Sequence, residues 1–192
     1  MIQRLYDWTL SLAEHRHAMW VLALVAFLES SMFPIPPDII MIPMIIARPN
    51  RAFVIAGVAL MASVLGGMLG YAIGALAYDT IGAPILQALG KGDAMAEFAT
   101  RFNDLGFWAV LVAGVTPFPY KVITIMSGFT AMPIGTFIAT SILARGLRFF
   151  LVALLLYKFG APVRDFIEKR LPLMFTLAVA LLIGGFMVLK LL

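Results

Sequence analysis

The chain has no cysteine, two histidines and only 12% charged residues over its 192 positions. Without cysteine there is no disulfide framework, no thiolate catalysis and no cysteine-ligated zinc or iron–sulfur centre, and the redox compartment stays open. The shortage of charge excludes more. Soluble domains are about a quarter charged and about half apolar, whereas 62% of this chain is hydrophobic and its mean hydropathy is +1.01. So little polar surface cannot cover a water-facing body, and the chain reads as an integral membrane protein. No P-loop or GxGxxG fingerprint stands in it, because the glycines at 66, 67, 70 and 74 lack the strand-to-helix context. His15 and His17, with no carboxylate cluster beside them, are too few for a metal site. With no hydrolytic triad either, neither an enzyme nor a cofactor or metal is expected.

The charge that is present is informative by position. Lys and Arg are scattered in ones and twos, apart from a basic stretch at 158–170, so the net charge of +4 fits positive-inside loops rather than nucleic-acid binding. Leu5, Trp8 and Leu12 recur at helical spacing among charged residues, which predicts an interfacial helix over 1–17. Glu29 and the proline cluster inside the following apolar run, with no small-residue cleavage site, argue against a cleaved signal. Trp8, Trp20 and Trp108 read as interface anchors.

One all-α membrane domain over 1–192 is expected. A stretch at 18–47 is too long for one straight crossing, about 45 Å if helical against a hydrocarbon core of about 30 Å. It is broken by Pro34, Pro36 and Pro37, each lacking an N–H. A span follows at 52–78, with Gly66, Gly70 and Gly74 on one face for close packing, within the chain rather than as a dimer seam. The polar stretch from Asp79 to Asp104 holds a second interfacial helix at 93–104. A second broken stretch at 105–131 is interrupted by Pro117 and Pro119; spans at 134–157 and 173–192 complete the chain.

Laid together, the broken stretches form a repeat: Pro34-x-Pro36-x-Asp38 matches Pro117-x-Pro119-x-Lys121 with the charge reversed, and Pro49 with Phe53 matches Pro133 with Phe137. If each broken stretch is a re-entrant hairpin, each repeat crosses once and the second starts from the other face. Two opposed hairpins in inverted repeats, a recurring transporter construction, are therefore expected. Counting Lys and Arg does not separate hairpins from plain spans, since Arg48 and Arg51 merely exchange sides with Lys91 and Arg101. Both arrangements put the N-terminus and the 158–170 loop in the cytoplasm.

Five charges sit inside apolar stretches: Glu29, Asp38, Lys121, Arg145 and Arg148. Insertion costs roughly 2.5–3.5 kcal/mol for each such group near a bilayer centre, so these residues pair, face a cavity or work. Glu29 reads as a proton-coupling carboxyl, against the alternative of a cap on the broken backbone or a permanent ion-pair partner. Asp38 reads as a second proton site or a salt-bridge partner. Lys121, Arg145 and Arg148 suit an anionic headgroup, with structural ion pairs, Arg148 to Asp38 or Glu29, as the competing role.

Phe27-Leu28-Glu29, Pro34-Ile35-Pro36-Pro37-Asp38, Gly128, Ala144-Arg145-Gly146-Leu147-Arg148-Phe149 and Tyr157-Lys158-Phe159-Gly160 together resemble the DedA family of bacterial inner-membrane proteins, bearers of the VTT or SNARE-associated domain, near its YqaA-like subgroup. The resemblance implies two opposed re-entrant hairpins and a role in moving lipids, notably undecaprenyl phosphate, with proton motive force implicated. It carries functional acids onto Glu29 and onto Asp38, where many members have Glu. Many members also carry Arg-x-x-Pro-x-x-Arg; here Gly114 replaces the first Arg and Lys121 sits one position past the second. A planar bidentate pair is thus reduced to one ammonium.

The first functional expectation is a proton-linked lipid transporter or flippase for an anionic polyprenyl phosphate or phospholipid, multi-pass in the inner membrane. Partners are then the lipid, protons and possible further copies of the chain. The alternatives are a proton-coupled small-ion or drug exchanger, whose path would be closed to lipid tails, and a non-transporting assembly factor, whose intramembrane charges would be permanent salt bridges.

Overall fold

A computed structural model describes residues 17–32, 35–90, 92–116 and 119–160, which are helical apart from short connections and include no strand. Pro34, Pro117, nearly all of the 1–17 segment and the expected 173–192 span lie outside the described residues.

Helix α1, Ala18–Ser31, stops at the proline cluster. The Met32 N–H closes on the Leu28 carbonyl at 2.9 Å, and the Ser31 hydroxyl folds back on the Phe27 and Leu28 carbonyls, each at 3.1 Å. Pro36 and Pro37 have no N–H to carry the ladder forward. Helix α2, Asp38–Ala47, starts from Pro37 with Asp38 in its first turn, where the positive end of the helix dipole favours a carboxylate. The 14 residues of α1 and 10 of α2 reach about 21 and about 15 Å, each well short of a hydrocarbon core.

A 3₁₀ turn at Pro49–Arg51 leads into α3, Ala52–Ala77. The chain does not leave the helix where it turns polar. A π-helical turn at Tyr78–Gly82 joins α3 to α4, Ala83–Ala88. The Thr80 hydroxyl folds onto the Leu76 carbonyl at 2.6 Å, and Pro84, which has no N–H to donate, falls just after the π-helical turn. Gly90, at φ 64°, takes the left-handed conformation after α4, and α5, Gly92–Asp104, is an amphipathic helix.

The second broken segment comprises α6, Gly106–Val115, and α7, Tyr120–Phe129, of 10 residues each. Helix α8 then runs Ile134–Gly160. It takes in Lys158 to Gly160, the first residues of the stretch expected as a basic loop. The helical run Pro49–Ala88 and helix α8 are both long and apolar enough to cross a membrane.

The outer surface is unlike that of a soluble protein. Trp20 is 76% exposed and Leu76 63%, while Ser30, Ser63, Thr124, Ser141 and Arg145 are buried. Water would penalise that surface heavily, whereas lipid does not. Between lipid-facing helices there is no hydrophobic drive to associate, so close contact has to come from small residues and polar links. Helix α3 supplies the first. A Cβ on Gly66 would strike the Phe27 carbonyl of α1, one on Gly70 the Thr124 hydroxyl of α7, and one on Gly74 the Ile125 carbonyl of α7. Gly128 answers from α7, where a Cβ would strike the Tyr71 carbonyl. The glycine stripe thus lets α1 and α7 lie directly against the α3 backbone. Around it, Leu22, Met41, Ile45, Ile55 and Phe149 form one apolar core, and Val110, Tyr120, Met132 and Phe137 a second.

Candidate functional site

The five intramembrane charges belong to four different helices, and the fold brings them to one region. Arg145 and Arg148, three residues apart on α8, share a helix face and reach back to the two acids that flank the first break. The Arg145 guanidinium donates to Glu29 Oε2 at 2.6 Å, and Arg148 donates to Asp38 Oδ2 at 2.5 Å. Each acid therefore has its own arginine, so the choice between Glu29 and Asp38 for Arg148 resolves to Asp38.

The two pairs are not equivalent. Arg145 is enclosed, with its side chain 1% exposed and that of Glu29 14%; the second pair stands at 20% and 19%. The guanidinium carbon of Arg145 lies 4.9 Å from the Tyr120 ring centre and 4.6 Å from that of Phe149. Two aromatic faces thus replace part of the hydration a buried cation has lost. Tyr120 is itself held by its hydroxyl, which donates to Ser141 Oγ at 2.5 Å. The Nε of Arg145 donates to the Ser63 hydroxyl at 2.7 Å, Ser63 meets Ser30 at 2.6 Å, and Ser30 donates to Glu29 Oε2 at 3.1 Å.

The breaks leave helix-terminal carbonyls that need donors, and the bases supply them. Lys121, at the start of α7, donates to the Met32 carbonyl past the end of α1 at 3.3 Å. The Thr124 hydroxyl, one turn on, reaches the Ser30 carbonyl at 3.0 Å. Arg148 donates its other nitrogen to the Thr116 carbonyl at the end of α6, at 3.1 Å. Arg148 thereby touches both breaks at once, through Asp38 on one side and Thr116 on the other. One buried oxygen, Asp38 Oδ1, receives no hydrogen bond among the described residues, although buried carboxylate oxygens are ordinarily satisfied.

The candidate residues separate accordingly. Glu29, Asp38, Arg145 and Arg148 form two ion pairs, Lys121 faces a carbonyl rather than a carboxylate, and Gly66, Gly70 and Gly74 pack helices instead of lining the site. Pro36, Pro37 and Pro119 border the breaks. Sequence reasoning gave no role to Ser30, Ser63, Tyr120 and Thr124, and quoted Phe149 only within the family resemblance. The available signal was hydroxyl groups placed within apolar helices, where they serve as interhelical links. Among the described residues no cluster of three or more His, Asp or Glu is arranged to hold a metal ion.

An all-helical, lipid-facing scaffold with acid–base pairs that join the first proline-broken segment to α8 defines a membrane protein built around an intramembrane polar centre. The VTT domain model matches residues 19–158, and the chain belongs to that family. It is 40% identical over 168 residues to an uncharacterized protein of Haemophilus influenzae, covering 85% of this chain and 87% of that one. An uncharacterized protein of Histophilus somni is 41% identical over the same length, with the same coverage. No solved structure matches the chain.

Proposed function

We propose that the chain is a proton-linked lipid transporter, with Glu29 and Asp38 as the proton-carrying acids and Lys121 as the first contact for an anionic headgroup. The observation that carries this reading is the division of labour at the polar centre. Both acids are engaged by arginines, and Lys121 alone of the three central bases faces no carboxylate among the described residues. Arg145 and Arg148 therefore act as counter-ions, and the ammonium of Lys121 is the charge left to attract phosphate. Protonation of a carboxyl weakens its hold on the partner arginine, so loading a proton at Glu29 or Asp38 loosens the links that tie the two breaks together. Asp38 Oδ1, which receives no hydrogen bond among the described residues, supports this as an acceptor open to a proton.

In this reading each half-length helix pair re-enters from its own side, the repeats are inverted, and the chain crosses the bacterial inner membrane several times with its N-terminus in the cytoplasm. Membership near the YqaA-like subgroup belongs to the same proposal. The headgroup crosses intact, so no bond is made or broken and no enzyme activity is involved. Polyprenyl phosphate and ordinary phospholipids are the substrates to compare.

The test is headgroup movement of each lipid in vesicles reconstituted with the full chain, native or Lys121→Gln, with and without a pH gradient. The proposal expects gradient-dependent movement of at least one anionic lipid, reduced about tenfold or more by the loss of the ammonium. Folded native protein that moves no lipid rules it out.

A second reading has an observation of its own. Both ion pairs are complete as they stand, which suits a non-transporting assembly factor with permanent salt bridges. That reading expects Glu29→Arg combined with Arg145→Glu to keep activity in cells, because a reversed pair is still a pair and the Ser63 hydroxyl can donate as well as accept; transport expects it to be lost.

A further inference from the structure

Four hydrogen bonds link Arg145, Ser63, Ser30 and Glu29, and their directions are determined by chemistry. Arg145 has donors only. Its Nε donates to Ser63 Oγ at 2.7 Å, so the Ser63 proton is free to point onward. The contact between Ser63 and Ser30 at 2.6 Å admits either donor by geometry. Because the Ser30 proton is directed to Glu29 Oε2 at 3.1 Å, Ser63 is the donor and Ser30 the acceptor. The ring closes with the direct bond from Arg145 to the same Oε2 at 2.6 Å. Cation and carboxylate are thus joined twice, once directly and once through two fully buried hydroxyls carried by different helices, α1 and α3.

We infer that Ser63 is a positioning residue for the Glu29–Arg145 pair, holding the guanidinium in place when the carboxyl changes charge. The direct bond weakens on protonation, because it depends on the negative oxygen. The bond from Nε to Ser63 involves a group that does not titrate, so the guanidinium stays between Tyr120 and Phe149 and is ready to re-engage. The ring also concentrates both described hydrogen bonds of Glu29 on Oε2, leaving Oε1 as the oxygen for the proton. Among the described residues, the charged and titratable groups gathered at the pair are Arg145 and Arg148 on α8, Asp38 on α2 and Tyr120 on α7, with Lys121 of α7 at the Met32 carbonyl. Helix α3 brings no charged side chain, and its Tyr71 bonds the Met132 carbonyl instead. Ser63 is thus the polar side chain through which α3 touches the pair. The inference rests on the reading of Glu29 as the proton site.

Its test separates the two. Infrared titration of the purified full chain, with the Glu29 carboxyl band identified by subtraction of Glu29→Gln, reads the pair without reference to transport. Ser63→Ala removes one oxygen and adds no bulk, so the fold is kept. We expect the band midpoint displaced by half a pH unit or more in Ser63→Ala, although Ser63 does not touch the carboxyl, and restored in Ser63→Thr, which keeps the hydroxyl. An unchanged midpoint in Ser63→Ala overturns the positioning role. A Glu29 band that does not titrate between pH 4 and 10 overturns the proton-site reading, and the inference with it. A displaced midpoint in a chain that moves no lipid leaves the ring standing and removes only the transport assignment.

Discussion

The two longest helices among the described residues, α3 and α8, share a prelude and nearly a length, yet they hold the molecule together by opposite means. Each follows a proline-broken segment and a proline set four residues before a phenylalanine, Pro49 and Phe53 for α3, Pro133 and Phe137 for α8. Helix α3 carries no charge from Ala52 to Ala77 and brings its neighbours in by omission, with glycines where side chains would collide with the Phe27 and Ile125 carbonyls. Helix α8 brings them in by attraction, placing Arg145 and Arg148 against the acids of the first broken segment. Glycine contacts are insensitive to protonation. Ion pairs are not, so under the proposed proton coupling it is the carboxylate contacts of α8, and not the glycine contacts of α3, that respond to a change in protonation.

The sharpest way to break this contrast is on α8. Arg145→Met keeps much of the bulk but leaves Glu29 buried without its counter-charge, and we expect a loss of about 3–5 kcal/mol in thermal unfolding in detergent. On α3, Gly66→Ala forces a methyl into the Phe27 backbone and is expected to cost about 1–3 kcal/mol. Gly57→Ala is the control on the same helix, since a Cβ there meets nothing within 4 Å. It is expected to be neutral or stabilising by up to about 1 kcal/mol. Equal losses at Gly57 and Gly66 would contradict the packing role of the stripe.

Arg148→Gln tests the more open pair. Its side chain is 20% exposed and that of Asp38 19%, so water replaces part of what is lost, and about 1–2 kcal/mol is expected in the same assay. The smallest effect lies where α7 ends. Ala131 adopts φ 52°, and the N–H groups of Ala131 and Met132 return to the Gly128 and Ser127 carbonyls at 3.0 and 2.9 Å. This helix ending favours glycine at the left-handed position. Ala131→Gly is expected to raise stability by about 1 kcal/mol or less, leaving lipid movement unchanged.

The acids and bases were legible in the sequence because a charge in an apolar run is conspicuous. Their partnership was not, because Glu29 and Arg145 stand 116 residues apart and helical spacing fixes which residues share a face but not which face meets which. The glycine stripe was legible as a packing face for the same periodic reason, yet its partners, α1 and α7, depend on tertiary arrangement. The carbonyl ends of α1 and α6 escaped notice because every residue has a carbonyl, and only the break makes those at Met32 and Thr116 available to Lys121 and Arg148. Ser30 and Ser63 look like unremarkable small residues until a guanidinium is brought beside them. The polar stretch after Ala77 misleads in the other direction. The span is expected to end at 78, but a π-helical turn at Tyr78–Gly82 carries the helix on to Ala88.

The measurement that bears most directly on Glu29 as a working acid compares the native chain with Glu29→Gln in reconstituted vesicles, following anionic headgroup movement with and without an imposed pH gradient. The account predicts that the native chain accelerates movement when the gradient is present and that the folded Gln variant does not respond to it. Equal, gradient-independent movement by both proteins would contradict it.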